Sequence, residues 1–304
     1  MGIFDQAARY ATRAEPRAPI RRLLIRTGVA CEFREWLDTR TLPFPGGPDR
    51  TADLVAALEG QAEGSPPWLM VLEFQAQPDA EKLDVTLEEV AILRAGVRHG
   101  PGRGGKYNVV AGLVYLRGRC PEDILDMTMP DGSGTRHAPL VWNVADDEAD
   151  RTLDAIEAGQ FSWGILFWVP LMSGGGVADV VLRWRGVVSS LVPDRQVRGT
   201  LAGIAMVFAE LAGSVPAWRR GLEGFDMTES QVVNEWMSQG EARGTLKAHR
   251  QNLIELLQGR FPAAVPEEVV RLINEQESLE MLRLWFRAAV QAFTFEHFMA
   301  VLRR

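Results

Sequence analysis

The sequence predicts an α/β protein with a mixed central sheet flanked by helices and an all-α C-terminal region. Three observations predict it. Apolar runs at Ala52–Leu58, Trp68–Gln75 and Tyr107–Arg117 are each strand-length and bounded by turn residues. Between the second and third, Leu83, Leu87, Val90, Ala91 and Leu93 recur at a spacing near three and four, which is a helix facing a core. From Val177 onward the pattern is mainly helical, with Pro193 and Pro216 as breaks.

The elements follow in order. Phe4 to Ile25 reads as one or two amphipathic helices interrupted at Pro16 and Pro19, because an interior proline removes a hydrogen bond. Asp5 lies in the first turn, where a carboxylate suits the helix N-terminus. Cys31 to Leu42 reads as a strand with Phe33, Trp36 and Leu42 as core candidates, and Pro43–Pro48 as a rigid turn. The next two apolar runs form a hairpin joined by Glu59–Pro67. Pro78 to Arg98 is the helix described above, acidic early and basic late. Tyr107–Arg117 is apolar almost throughout, as in a strand covered on both faces. Ile124–Met129 and Ala138–Val144 read as two strands around an Asp131–Gly134 turn. An acidic helix spans Asp146–Ala158, and Phe161–Met172 is a core segment closed by Gly174, Gly175 and Gly176. Thr228 is an N-cap candidate with Gln231 at the capping-box position, for a long helix weakened at Gly240 and Gly244. Further helices start near Pro266, Ser278 and Thr294, where Leu282, Leu284, Trp285 and Phe286 suit packing. The expected division is 1–225 and 227–304.

Composition narrows the function classes. The 304 residues are 46% hydrophobic and 24% charged, as in a globular protein. The net charge of −7 is unlike that of a dedicated nucleic-acid binder. Residues 1–50 nevertheless carry nine Arg against six Asp or Glu. Cys31 and Cys120 allow one disulfide but no zinc site. His99, His137, His249 and His297 form no metal-binding pair, and there is no serine-hydrolase elbow. Gly100–Lys106 matches G-x-x-x-x-G-K, but Tyr107 replaces the Ser or Thr that holds magnesium, and the loop follows a helix rather than a strand. It reads as a connector whose Arg103 and Lys106, with Arg98, could touch phosphates. Trp36, Trp68, Trp142, Trp163 and Trp168 read as core or sheet-edge residues. Gly259-Arg260-Phe261 ahead of Pro262 reads as a helix stop, with Arg260 capping the last carbonyls of its own helix in preference to contacting nucleic acid. No signal peptide and no membrane-spanning run are expected, so the sequence predicts a cytoplasmic protein without a membrane partner.

The acidic residues of the hairpin carry the chemistry. Asp53 opens the first strand and Glu73 closes the second, and an antiparallel pair brings those ends together. Glu73 and Gln75 share one face, while Leu72 and Phe74 point the other way. Two carboxylates and an amide at a strand end are suited to a hard divalent cation. An Asp at one strand's head, followed about twenty residues later by Glu-x-Lys or a variant, is the active-site pattern of the PD-(D/E)XK nuclease superfamily. Glu73-Phe74-Gln75 resembles the Glu-x-Gln variant of its recombination-promoting nuclease and transposase branch. Phe4-Asp5, Ala52-Asp53-Leu54-Val55 and Gly259-Arg260-Phe261 resemble that branch as well. The resemblance implies a restriction-endonuclease-like core and a metal-dependent DNA endonuclease linked to mobile elements or recombination. It implies catalytic Asp53, Glu73 and Gln75, with Asp53 and Glu73 holding Mg2+ or Mn2+ and the Phe74 carbonyl as a third ligand. DNA is the implied partner, and a homodimer would bring two sites to a duplex. Gln75 stands where the usual pattern has lysine, and it has no charge to offer; Lys82 on the next helix is a candidate replacement. The alternative is an inactive nuclease-fold protein serving as a DNA-binding or protein-interaction module.

Overall fold

Short, strongly apolar strands gather around the Trp68–Gln75 run. The computed structural model describes residues 2–25, 27–37, 52–60, 67–99, 107–225, 231–261 and 265–302. The chain divides into two compact units, 1–230 and 231–304. The first begins with helices α1 (Ile3–Ala14) and α2 (Arg17–Leu24). Strands β1 (Cys31–Trp36), β2 (Leu54–Gly60) and β3 (Trp68–Gln75) follow, then helix α3 (Lys82–His99) and strand β4 (Asn108–Tyr115). Next come β5 (Leu125–Thr128), β6 (Gly134–His137), β7 (Leu140–Asn143), and helices α4 (Ala149–Glu157), α5 (Ala178–Leu191), α6 (Arg195–Ala212) and α7 (Val215–Gly221).

A five-stranded sheet runs in the order β1-β2-β3-β4-β7. β1, β2 and β3 pair antiparallel, whereas β4 and β7 continue parallel to β3. The mixed character follows from the connections: a short link suffices between antiparallel neighbours, but a parallel neighbour needs a long crossover, here α3. Leu54–Leu58 of β2 and Leu69–Phe74 of β3 are buried without alternation, since both faces of the sheet are covered. On one face, Leu93 of α3 packs with Val55, Ala57, Leu69 and Val71. On the other, Phe74 stacks on Trp168, which also meets Trp142 and Phe208. Gly112 on β4 lets α2 approach, because a Cβ there would lie 2.9 Å from the Leu23 side chain.

Several expectations are corrected. Pro16 separates α1 from α2, but Pro19 does not interrupt α2. Pro19 lies in the first turn, where its missing N–H has no intrahelical partner to lose. The strand at Cys31 ends at Trp36, and Phe33 and Trp36 are only partly buried on this sheet-edge strand; Leu42 and the 43–48 turn lie outside the described residues. Leu125–Thr128 pairs with Gly134–His137, not with 138–144. The reason is a tight turn: Asp131 Oδ1 accepts from the Ser133 N–H and O–H, at 3.0 and 2.6 Å, and the chain reverses by Gly134. Leu140–Asn143 is then free to join the main sheet, burying Trp142. The apolar 161–172 segment forms two 3-10 helices, Trp163–Phe167 and Val169–Leu171, in the core. Cys31 and Cys120 are both free thiols.

The second unit holds α8 (Gln231–Arg260), α9 (Glu267–Glu275), α10 (Leu279–Gln291) and α11 (Phe295–Leu302). Leu253, Leu257, Ile273, Leu282, Trp285 and Phe298 form its core, while Leu284 is exposed. α8 continues through Gly240 and Gly244. Thr228 lies outside the described residues. Arg260 ends α8 as expected, but it donates to the Val290 and Ala292 carbonyls at 2.6 and 3.0 Å. It therefore caps the end of α10 rather than its own helix. No described helix is long and apolar enough to cross a membrane.

Candidate functional site

The β2–β3 register sets Leu54 opposite Leu72, so Asp53, one residue ahead of β2, falls beside Glu73. The two residues hold each other reciprocally. The Asp53 N–H donates to Glu73 Oε1 at 2.8 Å, and the Phe74 N–H donates to Asp53 Oδ2 at 3.1 Å. Side chains thus take over from the backbone ladder where the strand pair ends, which fixes both carboxylates without reliance on flexible loops.

Two cations complete the cluster. Lys82, the first residue of α3, donates from Nζ to Glu73 Oε2 at 2.6 Å. Arg9 of α1 forms an ion pair with Asp53 Oδ1. Glu73 and Lys82 are only 5% and 8% exposed, so this is a desolvated pair. Burial pushes the Glu73 carboxyl above the usual range, while Lys82 and then Arg9 pull it back. Burial likewise lowers the Arg9 pKa. The Nε of Arg9 is buried and has no hydrogen-bond partner, leaving one donor unspent inside the cluster.

The cluster opens into a cleft of about 590 Å³ lined by Asp5, Arg9, Asp53, Glu73, Gln75, Asp79 and Lys82 among others. All three residues read from the sequence, Asp53, Glu73 and Gln75, therefore meet at one cleft. Asp5 joins them in addition to serving its helix end, where its Oδ2 accepts from the Gly2 N–H at 3.2 Å. Arg9 was not legible as a site residue. Its only signal is its place one turn beyond Asp5 on a helix whose Ala7, Ala8 and Ala11 are buried. Arg98, Arg103 and Lys106 lie where the side chains are outside the described residues.

The donor set suits a hard divalent cation in kind, since Asp53, Glu73 and Asp5 offer carboxylate oxygens and no soft ligand is present. Arg9 and Lys82 already balance the charges of Asp53 and Glu73, and among the described residues no three His, Cys, Asp or Glu side chains are grouped as a ready-made metal site. A cation on Asp53 and Glu73 would thus take the place of Arg9 on Asp53. Comparison with protein-family models, with curated proteins and with solved structures finds no match to this chain.

Proposed function

We propose that the cleft is the active site of a metal-dependent DNA endonuclease of the PD-(D/E)XK type, cutting phosphodiester bonds by direct attack of water. The observation that carries this reading is the Lys82 ammonium held 2.6 Å from the buried Glu73 carboxylate, beside Asp53 and Gln75 in an open cleft. Lys82 reaches the site from α3, and it brings the positive charge that Gln75 lacks. Asp53 and Glu73 are the residues that would hold magnesium or manganese. When bound, such an ion polarises the phosphate and acidifies the attacking water.

The chain's own groups have separate tasks in this reading. Lys82 stabilises negative charge that develops on the phosphate, and its burial strengthens that effect because water does not screen it. Gln75 carries one acceptor and two donors, which suffice to orient a water molecule. Arg9 exchanges Asp53 for a phosphate oxygen, and the unspent Nε donor is then satisfied.

One observation favours a second reading, an inert nuclease-fold protein that binds DNA or another protein. Each of the four oxygens of Asp53 and Glu73 already has a donor from within the chain. Nicking of supercoiled plasmid with magnesium or manganese separates the two. The active reading expects cleavage by wild type that chelator abolishes, and a loss of at least about 100-fold in Asp53→Asn and Glu73→Gln. Wild type as inactive as both variants on DNA and RNA, with all three folded, leaves the inert reading standing.

A further inference from the structure

A row of arginines runs along α1 and α2 away from the cleft. Arg9 and Arg13 are one turn apart on α1, and Arg17 and Arg21 are one turn apart on α2, about 6 Å along each helix axis. The corner between the helices is fixed by Glu15, whose Oε2 accepts from the Ala18 N–H and the Ser162 hydroxyl, both at 2.9 Å. Gly164 makes room for that carboxylate, since a Cβ there would lie 2.3 Å from it. Arg13, Arg17 and Arg21 are exposed, and among the described residues none of them belongs to an ion pair. Arg22, by contrast, is spent on Asp147.

Arg17 and Arg21 also rim a groove of about 680 Å³ whose apolar lining includes Ile25, Val29, Phe33 and Phe161. Ile25 and Val29 are 53% and 44% exposed, so with Phe33 and Phe161 they give the groove an accessible apolar floor. Among the described residues Glu32 is the one acidic residue in that lining, so the groove is basic at its rim and apolar on its floor. A duplex presents phosphates but keeps its base faces stacked. A single strand presents both phosphates and free base faces, and the groove has a partner for each.

We infer that Arg13, Arg17 and Arg21, with the groove between α2 and β1, bind one unpaired nucleic-acid strand and lead it toward the Asp53–Glu73 cleft. The inference rests on the nuclease reading, and it adds that the substrate carries a single-stranded segment. The arginines grip successive phosphates while Phe161 and Ile25 receive the bases.

The test is binding of a fluorescent single-stranded oligonucleotide, followed by anisotropy in chelator at several salt concentrations, so that no cleavage is needed. The Arg13→Gln/Arg17→Gln/Arg21→Gln variant is expected to lose about two units of the slope of log affinity against log salt, at about 0.7 per phosphate contact on a single strand. Phe161→Ala is expected to weaken binding about tenfold with the slope unchanged. The same oligonucleotide in duplex form is expected to bind more weakly and to ignore Phe161→Ala. The triple variant replaces exposed side chains only, and it carries the test if Phe161→Ala proves less stable. Wild-type affinity and slope in the triple variant overturn the inference, and so does a duplex bound as tightly as the single strand. Strand binding through the arginines without any plasmid cleavage sinks the catalytic reading alone, whereas cleavage without arginine-dependent binding sinks the groove alone.

Discussion

On one face of β3, Phe74 stacks on Trp168 with ring centroids 6.2 Å apart, and Trp168 meets Trp142 at 5.1 Å. On the other face, one residue earlier, Glu73 is buried against Lys82 with Arg9 and Asp53 beside it. The same strand therefore holds its two sides by opposite means. The aromatic side gains from leaving water, by roughly 1.5–3 kcal/mol for each large side chain. The charged side loses by desolvation and recovers that loss only through close pairing, so it is a poor way to gain stability. That a chain keeps ion pairs where apolar residues would serve at least as well is what points to chemistry at that end of the sheet.

The comparison can be broken or sharpened by substitution. The largest effect is expected on the aromatic side: Trp168→Ala should cost about 3–5 kcal/mol in urea denaturation, by nearly the same amount at every pH. On the charged side, Lys82→Met should cost about 3 kcal/mol near neutral pH, because it leaves Glu73 buried without its partner. That cost should depend on pH. Burial raises the Glu73 pKa and Lys82 lowers it, so removing Lys82 raises it further. A raised carboxyl favours folding while protonated and loses that advantage as pH climbs through its folded value. The gap between Lys82→Met and wild type should therefore widen as pH rises above the ordinary carboxylate range. A constant gap would mean that Lys82 acts by packing alone.

Thr86→Val comes next. Thr86 Oγ1 lies 3.0 Å from Nε2 of the buried His137 and also donates within α3, to the Lys82 and Leu83 carbonyls. Its loss should cost about 1–3 kcal/mol, read by the same denaturation, since the His137 nitrogen is left unsatisfied. The smallest effect is expected at Arg183. It reaches Asp150 at 2.7 Å and Asp154 at 2.5 Å, with Glu157 also in contact, but all three carboxylates are exposed. Arg183→Ala should cost no more than about 1 kcal/mol, and less at high salt.

The strands and helices were largely legible because apolar period and turn residues carry them locally, as in β3, β4 and the helices after Pro266 and Ser278. The misreadings arose where a turn or a partner decided the outcome. Leu140–Asn143 looks like a hairpin strand from its sequence, yet the chain reverses at Asp131–Ser133 and Gly134–His137 takes the pairing with Leu125–Thr128 instead. Arg260 looks like a cap for its own helix, and it caps α10 because tertiary packing brings that helix end within reach. Within the cleft, Asp53 and Glu73 were readable because strand pairing relates them through the register. Lys82 was readable as a candidate cation on the next helix, whereas Arg9, midway along α1, was not, because nothing in local pattern says that α1 turns that residue toward the strand ends.

The most direct measurement is the plasmid-nicking rate of Lys82→Met against wild type, under conditions where denaturation shows both to be folded. If Lys82 supplies the charge that Gln75 lacks, nicking falls by about 100-fold or more while the Arg13–Arg17–Arg21 row still binds single-stranded DNA. A folded Lys82→Met that nicks at the wild-type rate contradicts the account, because the buried pair on β3 would then have no part in the chemistry.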